Sequence, residues 1–358
     1  MVRKTFDVKS GVPRHLVGRQ GGGSMKMQKR VLIGIAGCLL LAILVGCGGQ
    51  AATPTQQKAR VWRVALVLPG SISDQGYNAA AYNGLMRIRD RFGAEVAFSE
   101  AVPIAEFEET FRDYSEQGYD IVIGHGYEFG EPIQKVAPQY PKTTYWCINC
   151  DVSGPNYTSL LHQNQEGSYA VGYLAALMSK TGKVAGVAGF QFPVIVQQME
   201  GFKLGARAAR PDIEVTVTYI GTFDDIARAK EATLALISAG NDVIFHIADA
   251  AGIGVIEACK ERKVYAIGFA WDQNVLAPET VLTSTIIDFE KMMEEAMEAT
   301  VKGEFTMEIH RYGLSTGVVR LADFHGLVPE DIAARVNQVV QDIIAGRIQV
   351  PLISEPTP

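Results

Sequence analysis

With 358 residues, 47% of them apolar and 20% charged, the chain is globular and long enough for two hydrophobic cores. Eight of its 33 lysines and arginines but only one of its 39 acids, Asp7, precede Cys47, so the part from Cys47 onward carries 25 basic against 38 acidic side chains, a net of −13. That balance argues against a nucleic-acid binder, which needs a basic face to neutralise phosphates.

Residues 1–46 read as a leader. The basic stretch "MKMQKR" at 25–30 is followed by the uncharged run "VLIGIAGCLLLAILVG", the order of a secretory signal. That apolar run is short for a spanning helix. The ending Leu44-Val45-Gly46-Cys47 looks like a lipobox, in which the signal is cut before Cys47 and this cysteine is lipidated. The 24 residues ahead of Met25 precede the signal, so translation is expected to start at Met25 or Met27. "GGQAATPTQQKA" follows Cys47 and reads as a flexible tether.

From Val61 the pattern alternates. Short apolar runs ("VWRVALVL", "YDIVIGH", "KVAGVAGF", "NDVIFHIA", "KVYAIGFA") are bounded by Gly, Asp or Asn and predict strands buried on both faces. Between them Tyr77, Ala81, Leu85, Ile88 and Phe92 recur at helical spacing, and 166–180, 194–209, 225–239 and 252–262 behave alike. The fold class is α/β: two doubly wound parallel-sheet lobes joined by a hinge. The expected organisation is a leader (1–46), a tether (47–60), one lobe over 61–163 and 286–307, a second over 164–285 and 308–346, and a tail (347–358). A cleft between the carboxyl ends of the two sets of strands is the usual ligand site.

The C-x-x-C of "TTYWCINCD" invites a zinc or redox reading. Strand alternation instead points Cys147 and Cys150 to opposite faces about 10 Å apart, too far to bridge, so both are expected to be buried thiols, like Cys259. No set of four zinc ligands accompanies them. Catalytic signatures are missing too: there is no G-x-S-x-G, no H-E-x-x-H and no Walker loop, and "GIGVIE" has Glu257 where a dinucleotide fingerprint needs its third glycine. No cofactor and no metal are expected.

What remains are polar, aromatic loops after strands. In "SISDQGYN", Asp74 and Asn78 are four apart and share a helix face, and a carboxylate beside an amide suits the edge of a purine or a sugar diol. The competing reading makes Asp74 a helix cap and Tyr77 a core residue. "GHGYEFGE" offers His125, Tyr127 and Glu128 among glycines that let backbone approach a ligand. "GFQFPV" places Phe190 and Phe192 in a loop where exposing both is costly. "IADAAGIG" carries Asp249, and "FAWDQN" carries Trp271 and Asp272. Rings surrounded by acids and amides fit a flat heterocycle, with or without ribose.

These segments, with "QEGSYAVGYLAALMSKTGKVAGVAGF", "GFKLGARAARPDIEV" and "GVIEACKE", resemble the Bmp/Med basic membrane lipoproteins over about residues 61 to 345. The resemblance implies a type I periplasmic-binding-protein-like receptor that hands purine nucleosides or related ligands to an ABC importer. It implies that Asp74, Tyr77 and Asn78 match the family's D-x-x-[aromatic]-N ligand motif. It also implies that Asp272 is the second acid of a G-x-D-x-D-Q segment near the ribose. The first acid of that segment is Ala270 here, Trp271 fills the small position between, and a lysine of some members is Ile287. A free nucleobase therefore stands beside an intact nucleoside as the implied ligand.

The expected protein is a non-enzymatic, lipid-anchored solute-binding protein on the outer face of the cell membrane. Its partners are a purine nucleoside or base, an ABC permease and the membrane, with no nucleic acid. The ligand is expected to meet Asp74, Tyr77, Asn78, His125, Tyr127, Glu128, Phe190, Asp249, Trp271 and Asp272. A nucleoside- or sugar-processing enzyme, or a ligand sensor, using the same cleft are the rival readings.

Overall fold

A computed structural model describes residues 4–5, 60–74 and 76–357. Cys47, the tether up to Ala59 and all of the expected leader except Lys4–Thr5 lie outside the described residues. Six strands come first: β1 (Lys4–Thr5), β2 (Arg63–Val67), β3 (Glu95–Ser99), β4 (Ile121–His125), β5 (Thr144–Ile148) and β6 (Tyr157–His162). Five follow, β7 (Lys183–Ala188), β8 (Glu214–Tyr219), β9 (Val243–Ile247), β10 (Tyr265–Ala270) and β11 (Val281–Ile287), then two short ones, β12 (His310–Tyr312) and β13 (Val319–Leu321). The helices are α1 (Tyr77–Phe92), α2 (Phe107–Glu116), α3 (Gly130–Val136), α4 (Asn164–Met178), α5 (Pro193–Ala209), α6 (Ile226–Ser238), α7 (Gly252–Arg262), α8 (Phe289–Lys302) and α9 (Glu330–Ile344).

The strands form two sheets, ordered β1-β3-β2-β4-β5-β6-β12 and β13-β11-β10-β9-β7-β8. Every pairing is parallel except β1 with β3 and β11 with β13. This is the two-lobed, parallel α/β architecture that the alternating pattern predicts. Buried runs such as Val64–Val67 and Ile121–His125 explain it, because a strand covered by helices on both faces has no polar side to show. In the second lobe α4 and α5 pack backbone against backbone. A Cβ at Gly172 would strike the Phe202 carbonyl, and one at Gly205 that of Tyr169.

The chain crosses between lobes three times. The first crossing lies between β6 and α4, and the second between β11 and α8, which packs on α1. The expected assignment of 308–346 wholly to the second lobe fails at β12. His310–Tyr312 pair with Leu160–His162 in the first sheet, and the third crossing falls between β12 and β13. Three residues are enough to add an edge strand but too few to show as a periodic run.

The expectation for Cys147 and Cys150 is also corrected. The strand ends at Ile148, and Asn149 turns the chain back through a left-handed backbone (φ 66°). The two Cα atoms lie 5.5 Å apart and a disulfide joins the cysteines, while Cys259 is a free, buried thiol. Among the described residues no helix is long and apolar enough to cross a membrane, and no group of three or more metal-binding side chains occurs.

Candidate functional site

Both sheets point their carboxyl ends at one cavity of about 810 Å³, counting its open mouth. The first lobe supplies Asp74, Tyr77 and Asn78 where β2 hands over to α1, then Tyr127 and Glu128 after β4. Asn149 after β5 and His162 at the end of β6 complete that side. The second lobe supplies Phe192 and Gln198 around the start of α5, Phe223 and Asp224 before α6, Asp249 after β9, and Phe269 in β10.

Asp74 has its hands full. Oδ1 accepts from the backbone N–H groups of Gly76 (2.9 Å) and Ala79 (3.0 Å). Oδ2 accepts from the N–H of Asn78 (2.8 Å) and from its side-chain amide (2.8 Å). Four donors saturate a carboxylate, so Asp74 caps α1 and orients Asn78. Asn78 Oδ1 in turn accepts from Gly70 N–H at 3.3 Å, which leaves one amide hydrogen of Asn78 for a ligand. Gly70 is needed here, since a Cβ at that position would meet the Asn78 amide.

His125 lies underneath this layer. Its ring stacks on Tyr77 (centroids 3.8 Å apart), and burial drives its pKa down to about 3. The neutral ring therefore donates from Nε2 to the Tyr77 carbonyl at 3.0 Å. It supports the site without lining the cavity.

Several buried polar groups at the cavity have no hydrogen-bond partner among the described residues. They are Asn149 Oδ1 and both ring nitrogens of His162. Asn149 and His162 are each 6% exposed, and burial pushes His162 to a pKa of about 4, so its ring is neutral. Native proteins rarely leave such atoms unpaired except where a ligand or water completes them.

The aromatic residues sort differently from expectation. Phe190 is 39% exposed and stacks on Phe192 at 5.4 Å; Phe192 is the ring that faces the cavity. Trp271 borders a smaller side pocket next to Asp74 and Asp249. Asp272 points away altogether, accepting from Asn274 N–H at 3.1 Å and pairing with His325 Nε2 at 3.0 Å. Asp249 does reach the cavity, on a left-handed backbone (φ 45°) that is costly for a residue with a side chain. Burial, then the charges of Asp74, Asp224 and Glu128, raise its pKa to about 8. Burial also raises that of Glu128.

Sequence reasoning missed Asn149, His162, Phe192 as the cavity-facing ring, Gln198, Phe223, Asp224 and Phe269. All but Gln198, within α5, and Phe269, within β10, fall at the ends of strands or in the loops that follow them, where a lone polar or aromatic residue carries no periodic signal.

Two α/β lobes that share one aromatic, polar cavity define a solute-binding protein. Residues 61–354 match the Bmp family, described as ABC transporter substrate-binding protein PnrA-like, and the chain belongs to it. It is thus a binding protein of an ABC transporter family, not an enzyme, and its partners are a small molecule and a permease. It is 31% identical over 303 residues to the transcriptional activator protein med of Bacillus subtilis (strain 168), covering 84% of this chain and 93% of that one. It is 28% identical over 353 residues to the ABC transporter nucleoside-binding protein BmpA of Lactococcus lactis subsp. cremoris, covering 91% and 99%. The crystal structure of an ABC transporter solute-binding protein from Aeropyrum pernix K1 superposes with a TM-score of 0.73 at 25% identity, covering 81% of this chain and 94% of that one.

Proposed function

We propose that this protein is lipid-anchored through Cys47 outside the cytoplasm, binds a purine nucleoside or free nucleobase in the inter-lobe cavity, and delivers it to a membrane permease. The observation that carries the reading is the meeting of unpartnered polar groups with ring faces in one cavity. Asn78, Asn149 and His162 offer donors and acceptors for the edge of a heterocycle, and Tyr127, Phe192 and Phe223 offer faces for stacking. A ligand touching both lobes favours their closed arrangement, which is what a permease can recognise. The nucleoside-binding relative supports the ligand class. Ala270, Ile287 and the outward-turned Asp272 favour a free base or an altered sugar over an ordinary ribose.

A thermal-shift panel of adenosine, guanosine, inosine, adenine, guanine and simple sugars tests it. One dominant class of purine stabiliser is expected. Stabilisation by sugars or amino acids alone would sink the purine reading. Metabolic labelling with palmitate should mark the wild-type chain and not Cys47→Ser; equal labelling removes the anchor.

A further inference from the structure

The charge of the cavity wall narrows the ligand further. Carboxylates face the space from both lobes: Glu128 from the first, Asp224 and Asp249 from the second. No lysine or arginine lines it, and its one imidazole, His162, is neutral. Asp74 is satisfied by the amides of its own helix start, whereas no cationic side chain among the described residues pairs with Glu128, Asp224 or Asp249. The strained backbone of Asp249 marks its placement as something the fold holds against a local cost.

We propose that the ligand is a flat heterocycle bearing a positive charge, seated with that charge between Glu128 of one lobe and Asp249 of the other. The proposal rests on reading the inter-lobe cavity as a heterocycle site and specifies the charge of the occupant. Crowding these carboxyl groups into a buried space holds Asp249 protonated up to about pH 8 and pushes Glu128 the same way. A neutral ligand leaves them so. A cation seated between them favours their ionised forms from both lobes, and the energy it gains only in the closed arrangement is what shifts the lobes toward closure. The rings agree with this choice, because the faces of Tyr127, Phe192 and Phe223 carry the negative quadrupole that attracts a cation. Anionic ligands such as nucleotides are disfavoured by the same carboxylates.

The test uses matched pairs that differ in charge on one ring system: 1-methyladenosine, cationic near neutral pH, against adenosine, and the permanently charged 1-methylnicotinamide against nicotinamide. Calorimetric titration of the wild-type protein should show about tenfold or greater preference for the charged member. The double variant Glu128→Gln/Asp249→Asn, checked for folding by circular dichroism, should lose that preference. Equal or tighter binding of the neutral members overturns the charge assignment, and adenosine binding in that case leaves the purine reading standing. Persistence of the preference in the double variant also overturns it. If no purine or pyridine compound binds while sugars or amino acids do, both readings fall.

Discussion

The ring of Tyr127, on the first lobe, lies stacked on that of Phe192, on the second, with centroids 5.7 Å apart and planes 27° from parallel. Phe190 also stacks on Phe192, with centroids 5.4 Å apart. Both rings line the cavity, so a change on either side alters both its wall and a contact between lobes.

Phe192→Ala should therefore weaken binding of the best-stabilising purine by about tenfold or more, the scale of one lost aromatic stack. Phe190→Ala should change affinity much less. Calorimetry on both variants checks this; equal losses would mean that Phe190 is the working face.

Asp74 and Asn78 should separate stability from affinity. Asp74→Ala removes a helix cap and should lower stability by about 1 kcal/mol, with an affinity loss that follows only from the loosened Asn78. Asn78→Ala should weaken binding more than Asp74→Ala does. Melting curves and titrations run in parallel decide it. A larger affinity loss at Asp74 would restore that carboxylate as a direct ligand.

Stability of the ligand-free protein should pass through a maximum near pH 6.5. Burial holds His125, His162 and His246 near pKa 3 to 4, against 6.5 when unfolded, so the unfolded chain binds more protons between about pH 4 and 6.5 and stability rises there. Asp249 runs the other way. Its folded pKa of about 8 lies above its unfolded 3.8, so its contribution is complete at low pH and is lost as pH rises through 8. Above 6.5 the histidines no longer compensate, and the curve turns down. Asp249→Asn should remove the falling limb in denaturant titrations across this range; an unchanged limb would discard Asp249 as its source.

A buried ion pair on α5 is closed over by the end of the chain. Lys203 Nζ lies 2.8 Å from Glu200 Oε1, and the two residues are 6% and 2% exposed. Thr357 donates its N–H to Glu200 at 3.1 Å and its hydroxyl to the same carboxylate, while its carbonyl accepts from Lys203. Lys203→Met should destabilise by about 3–5 kcal/mol, because it strands a buried carboxylate. Adding Glu200→Gln should recover part of that loss. Equal stability of the single variant and wild type in chemical denaturation would mean that water reaches the pair.

The two lobes are readable in the sequence because a doubly covered strand such as "IVIGH" leaves no room for polar residues. The β2-to-α1 loop is readable too, since Asp74, Tyr77 and Asn78 are spaced as a helix start requires. Other features turn on a single backbone angle. Whether Cys147 meets Cys150 depends on β5 ending at Ile148 instead of running on, and Asn149 alone sets that. Phe190 and Phe192 are two apart, and only the local turn decides which ring faces inward. Asp272 looks like Asp249 on paper, yet His325, 53 residues further along, turns it outward.

The threefold passage of the chain between its halves has a mechanical corollary. One strap would let the halves swivel freely; three, attached at separate points, resist twisting and leave bending about their common line as the soft motion. A membrane protein that senses this receptor then has a single angle to read, and whatever sits in the gap sets that angle.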